Sequence, residues 1–275
     1  MKLAVAIADT AASPSAFVVW RGFEESIPKA AEYGYHGVEL ALKTADDVSR
    51  AQLSRWLAAK NLEVSCISTG QVFAALGLYF THPDPAAREK VVAVFADLID
   101  LATDFGRMIN VGRTRGFIGE GESRADAEAR FLATAGPICE MAARKGVTII
   151  IEPVNRYEIN FINSVDEGAA LLKRMPQTNI GLMPDVFHMN IEDDHIGDTL
   201  ARHGTLVKYI HFADSNRHAP GWGHLDFDDV FAGLRLGGFD GWASIEILPV
   251  PDPDAAARQA ARYILPRLAA YNAGA

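Results

Sequence analysis

Short, nearly unbroken apolar runs alternate along this chain with longer stretches in which apolar positions recur at helical spacing. Eight runs predict strands: KLAVAIA (2–8), HGVELAL (36–42), EVSCIST (63–69), RMINVG (107–112), VTIIIEP (147–153), IGLMPD (180–185), VKYIHFAD (207–214) and WASIEIL (242–248). The stretches between them predict helices, among them 84–106 and 123–146. The second opens on Ser123, a capping residue, and closes on the stop signal Lys145-Gly146. Strands apolar on both faces predict a parallel sheet covered by helices. Eight strand–helix alternations with no linker or composition shift predict an α/β fold, a single (β/α)8 TIM barrel over residues 1–275. A doubly wound open sheet is the runner-up. No glycine-rich phosphate loop follows the first strand, so nucleotide binding has little support.

Polar residues break this pattern at a recurring place. Glu152 ends the fifth strand, Asp185 ends the sixth, His211 lies late in the seventh and Glu246 lies in the eighth. Their separations of 33, 26 and 35 residues are each about one strand–loop–helix unit. The C-terminal ends of barrel strands converge on one mouth, so the four side chains should meet there. Three carboxylates in one cavity repel unless they are protonated or bridged by a cation. A divalent metal resolves the conflict, and an oxygen-rich set with one imidazole favours Mn²⁺ or Mg²⁺ over structural Zn²⁺. Taken singly, Asp185 reads equally as a helix cap and His211 as a core histidine. Glutamate is almost never buried unpaired, so Glu152 and Glu246 resist such readings.

Composition narrows the function classes. The chain is 49% hydrophobic and 22% charged, enough for a sizeable core. No run of 18 apolar residues is present, and the start MKLAVAIADT is too short and too soon acidic for a signal peptide. Cys66 and Cys139 lack metal-type spacing and read as reduced core thiols of a cytoplasmic protein. With 26 Lys and Arg against 35 Asp and Glu, the net charge of −9 opposes binding to nucleic acid or an anionic membrane.

The stretches IEPVNRYEINFINSVDEG (151–168), DVFHMNIED (185–193), HFADSNRHAPGWGHLDF (211–227) and ISTGQ (67–71) resemble the xylose isomerase-like barrels. Within that superfamily the chain is most similar to the ketose 3-epimerases and the 5-keto-L-gluconate epimerases. The resemblance runs from GYHGVEL (34–40) to SIEILPVP (244–251). It implies that Glu152, Asp185, His211 and Glu246 are ligands of one divalent ion, Mn²⁺ or Mg²⁺, with Co²⁺ and Zn²⁺ as alternatives. It also implies that Glu152 and Glu246 form an acid–base pair and that Glu158, His188 and Arg217 contact substrate. The chemistery makes independent sense. A metal on the carbonyl and neighbouring hydroxyl oxygens stabilises an enediolate, and inversion needs one base on each face of the substrate. A homodimer or homotetramer is the usual family assembly.

Other polar residues carry open readings. Glu39 faces the barrel or binds backbone or a buried basic partner. Gln71 and Gly70 line the mouth or simply form a loop. Trp222, in PGWGH, covers the cavity or packs on a neighbouring subunit. The acidic pairs Asp193-Asp194 and Asp228-Asp229 read as solvated helix starts. Arg113 and Arg115, in GRTRGF after the fourth strand, clamp an anionic group if the loop is extended, or pair with Glu120 or Glu122 at the surface.

The leading reading is thus an isomerase: a metal-dependent epimerase of a keto-sugar acid, with a neutral ketose or an aldose–ketose isomerisation as alternatives. A repair-endonuclease-type phosphodiesterase needs several zinc ions, more histidines and a basic face. A sugar-binding barrel without turnover has no need of two bases. The expected partner is a small sugar or sugar acid.

Overall fold

The computed structural model describes residues 1–14 and 16–274. Along the first strand, β1 (Lys2–Ala8), Leu3, Val5 and Ile7 join the main core against the helices. Ala6 and Ala8 turn the other way and pack with Val18 and Ala41. The same alternation continues in β2 (Gly37–Ala41), where Val38 and Leu40 join the main core and Glu39 is fully buried between them.

The remaining barrel strands are β3 (Glu63–Ser68), β4 (Met108–Val111), β5 (Thr148–Ile151), β6 (Ile180–Leu182), β7 (Tyr209–Phe212) and β8 (Trp242–Ile245). All pairings are parallel, in the order β6-β5-β4-β3-β2-β1-β8-β7, and a two-residue strand, Trp20–Arg21, adds to β1. The ring closes between β6 and β7 through bridges Leu182–Val207 and Asp185–His211. There Lys208 N donates to Leu182 O at 2.9 Å and His211 N to Pro184 O at 2.9 Å. The eight-stranded barrel is therefore the fold, and the open-sheet alternative falls.

Strand ends are set by chemistry. Pro153 and Pro184 cannot donate to a ladder, so β5 and β6 stop short of them, and Glu152 and Asp185 stand just beyond the regular pairing. The helices follow their predicted caps. Asp84 caps the helix Pro85–Asp104, Ser123 forms a capping box with Asp126 on Arg124–Arg144, and Gly146 turns away at φ 65°. Cys66, Ile150, Met183 and Tyr209 form a separate apolar cluster; both cysteines are buried and free. Among the described residues, no helix is long and apolar enough to cross a membrane.

One acidic pair departs from expectation. Asp193 follows the end of the helix Val186–Glu192 rather than opening one, and is half-buried with Oδ2 lacking a hydrogen bond. Burial pushes its carboxyl up to about 7. Asp228 and Asp229 do lie in a first turn, that of the helix Phe227–Leu236 capped by Asp226.

Candidate active site

Glu152, Asp185, His211 and Glu246 meet at the C-terminal mouth, each offering a ligand atom within 4.8 Å of the others. His211 Nδ1 lies 3.5 Å from Glu152 Oε1, 3.8 Å from Asp185 Oδ2 and 3.5 Å from Glu246 Oε2. It is buried and makes no hydrogen bond. Asp185 serves both of its readings: Oδ1 caps the helix Val186–Glu192 through Phe187 N at 2.8 Å, while Oδ2 faces the cluster. Close approach shapes the rim as well. A Cβ at Gly112 would sit 2.7 Å from Glu152 Oε2, so only glycine leaves room for that carboxylate.

The electrostatics are crowded. Arg217 donates from Nη1 to Asp185 Oδ2 at 2.5 Å and contacts Glu246 Oε2 through Nη2. Burial alone would push Glu152 up, but the nearby His211 and His188 rings more than offset it, leaving the carboxyl below its ordinary value. Asp185 is driven well down, with the Arg217 guanidinium overcoming burial. Glu246 is pushed up to about 7 because burial outweighs His211 and Arg217. Burial would lower His211, yet Glu39 and Glu246 raise it well above its ordinary value. Even with His211 beside Arg217, two cationic groups face four carboxylates (Glu39, Glu152, Asp185 and Glu246), which leaves a deficit of positive charge. The orphaned Nδ1 and the oxygen-rich set fit a divalent ion.

The other predicted residues separate into two groups. Gln71, Arg113, Glu158, His188 and Arg217 line one recess, together with Glu152 and Glu246. Asn155 holds His188 at Nδ1 (2.7 Å) and also donates to Glu158 at 3.2 Å. Gln71 Oε1 accepts from Ser13 N at 2.8 Å, which ties the first βα loop to the mouth. Glu39 binds a basic partner, accepting from His211 Nε2 at 2.9 Å. Trp222 is 39% exposed in its loop and is not among the residues lining the recess.

Arg115 corrects an expectation. Residues 113–115 form a 3-10 turn in place of an extended loop, so the two arginines diverge instead of pointing the same way. Arg115 is fully buried and donates to the carbonyls of Phe161 (2.7 Å), Gly112 (3.1 Å) and Ile162 (2.9 Å). Burial lowers its guanidinium to about 10, still cationic at neutral pH. It is a strap between two mouth loops and touches no substrate space. Arg113 pairs with neither Glu120 nor Glu122; Glu122 holds Arg130 at 2.5 Å. Arg115→Met should strand the Phe161 carbonyl, while Gly112 and Ile162 keep the backbone N–H of Arg115 and Val154, and should cost about 1–3 kcal/mol for the one orphaned group. A denaturant midpoint matching the parent's would remove the strap from the account.

Several functional neighbours escaped sequence reading. Asn110 donates to Glu152 Oε2 at 3.2 Å; its polar side chain in RMINVG is the same kind of signal that marked Glu152. Phe17 and Phe187 both approach the Arg217 guanidinium, with ring centroids at 5.0 and 4.9 Å. Asp214 accepts backbone N–H from Ser215, Gly221 and Leu225, organising the loop that holds Arg217 in a left-handed conformation at φ 63°. A Cβ at Gly223 would fall 2.1 Å from Asp214 Oδ1, which explains one glycine of PGWGH.

Comparison with known proteins agrees with the barrel fold. The family described as Xylose isomerase-like TIM barrel matches residues 27–267. The L-ribulose 3-epimerase of Methylomonas sp. (strain DH-1) is 31% identical over 224 residues, covering 78% of this chain and 74% of that protein. The ketose 3-epimerase of Arthrobacter globiformis is 28% identical over 228 residues, covering 80% and 75%. A crystal structure of D-allulose 3-epimerase from Methylomonas sp. in complex with D-allulose superposes with a TM-score of 0.83 at 26% identity, covering 97% of this chain and 98% of that one. The chain belongs to the xylose isomerase-like TIM barrel family and is an isomerase-class epimerase.

Proposed function

We propose that this protein is a divalent-metal-dependent epimerase that inverts the carbon beside the ketone of a ketose. The observation that carries the reading is the pair Glu152 and Glu246, three strands apart around the barrel, both facing one recess and both 3.5 Å from His211 Nδ1. Glu152, Asp185, His211 and Glu246 would hold the ion, most simply Mn²⁺ or Mg²⁺. When bound, that ion supplies Lewis-acid stabilisation of charge developing on the substrate oxygens. One glutamate takes the proton from the carbon beside the ketone, and the C–H electron pair becomes the double bond of an enediolate. The other glutamate delivers a proton to the opposite face of the same carbon, and the carbonyl re-forms with inverted configuration. His188 and Arg217 line the recess and donate hydrogen bonds to substrate oxygens. Arg217 keeps its proton throughout, because its guanidinium lies far above neutral pH.

Neutral ketoses are the first reading of the substrate, because burial of Arg115 dissolves the two-arginine clamp expected for an acid. The two 3-epimerase relatives favour the same class. A keto-sugar acid is the second reading, favoured by Arg113 alone. Its guanidinium lies 5.6 Å from the Phe73 ring centroid at the recess wall, and no carboxylate pairs with it among the described residues. The same scaffold would serve as a homo-oligomer in the cytoplasm. The test is solvent deuterium uptake beside the ketone across a panel of ketoses and keto-sugar acids, with Mn²⁺ present. No uptake with any member would sink the epimerase reading. In the same panel Arg113→Met should leave neutral ketoses within about threefold of the parent. A carboxylate held by Arg113 is worth about 1.5–3 kcal/mol, or roughly 10- to 150-fold in kcat/KM. Selective loss on the acids would therefore make the second reading the correct one.

A further inference from the structure

Glu39 is buried in a place that general stability does not explain. It is fully buried, and its register partners on the neighbouring strands are Ala6 and Cys66. Neither Lys nor Arg pairs with it, and neither of its oxygens accepts from backbone among the described residues. Its Oε2 accepts from two side chains of β7 only, His211 Nε2 at 2.9 Å and the Tyr209 hydroxyl at 3.0 Å. Oε1 has no hydrogen-bond partner. Behind it, the Tyr209 and Ser65 hydroxyls lie 2.6 Å apart, and Ser65 Oγ donates to Val38 O at 3.2 Å. A carboxylate whose one basic partner is a single imidazole is costly in an interior. This one is directed at the far nitrogen of the imidazole whose near nitrogen stands bare among Glu152, Asp185 and Glu246.

An imidazole that donates from Nε2 carries its free lone pair on Nδ1. A carboxylate on the outer nitrogen of a ligand histidine fixes the ring's orientation and tautomer and makes the inner nitrogen a better donor to a cation. We propose that Glu39, backed by Tyr209 and Ser65, is a positioning residue that holds His211 with Nε2–H outward and Nδ1 toward the ion. The inference rests on the metal-site reading above. Glu39 touches neither substrate space nor the ion position; it acts through His211 alone.

The experiment reads metal affinity in the resting protein, by titrating Mn²⁺ into the metal-free full chain and following it by calorimetry. Glu39→Gln keeps the volume but offers a neutral amide, whose NH2 can equally face the ring and permit the opposite tautomer. It should weaken the Mn²⁺ dissociation constant by about 10- to 100-fold, the range for outer-shell partners of metal ligands. The melting temperature of the metal-free variant should stay close to the parent's. Tyr209→Phe leaves the Glu39–His211 bond in place and should weaken affinity less than Glu39→Gln. If Glu39→Gln does not fold, ¹⁵N-histidine NMR of the parent loaded with Mg²⁺ decides: the proposal requires His211 protonated on Nε2, and a proton on Nδ1 overturns it. Parent protein that binds no Mn²⁺ overturns the metal reading and this inference together. Parent protein that binds Mn²⁺ while Glu39→Gln binds it equally tightly overturns this inference alone.

Discussion

Glu246→Gln should slow epimerisation by about 10²- to 10⁴-fold, the usual contribution of a positioned acid–base group. Glutamine keeps the side chain's length and one acceptor for the Arg217 contact, so the loop around Arg217 should stay in place. What it loses is the ability to take or deliver a proton, together with one anionic ligand. Glu152→Gln should be equally damaging, although its amide oxygen can still accept from Asn110 Nδ2. Deuterium uptake and product formation should be followed together, since the two glutamates divide proton removal and delivery between them. Glu24→Gln, on the exposed side of the helix Phe23–Glu32, is the control and should match the parent. Glu192 is a poor control because its carboxylate holds the Arg156 backbone and guanidinium next to Asn155. A Glu246→Gln protein that epimerises at near the parent rate would end the two-base mechanism.

Exhaustive chelation should abolish turnover and lower the melting temperature, and restoring Mn²⁺ should recover both. Without the metal ion, Arg217 and His211 offset only part of the charge of Glu152, Asp185 and Glu246, and their mutual repulsion returns. Linkage sets the size of the stability loss. A ligand present at about 100 times its dissociation constant stabilises the folded state by about 2.7 kcal/mol. At roughly 2–4 °C per kcal/mol for a domain of this size, the metal-free protein should melt about 5–10 °C lower. Thermal scans with and without chelator, alongside metal analysis of the same samples, make the measurement. Full activity in protein with no detectable metal would remove the ion from the site.

The amino-acid sequence by itself determined the barrel and its four-residue centre, because both follow from a repeating register. Each strand–helix unit buries its apolar run, and each strand delivers its C-terminal end to the same mouth. A polar residue at that position in four successive units therefore lands in one cavity whatever the loops do. For His188, Arg217 and Glu158 a place at the mouth was implied by the family resemblance, and all three line the recess, while their contact with substrate belongs to the proposal. Long-range pairing was not legible. Polarity shows that a buried group needs a partner, but the choice among partners is made by contacts across the barrel. Glu39 meets His211 from 172 residues away, and Arg115 meets the Phe161 carbonyl 46 residues on. The turn at Arg113–Arg115 depended on the tertiary structure for the same reason: two buried carbonyls of residues 161 and 162 lay within reach of Arg115 and drew its side chain inward. Among the described residues the Phe161 carbonyl has no donor but Arg115, a buried acceptor is costly to leave unpaired, and only the packed structure shows that this acceptor is there.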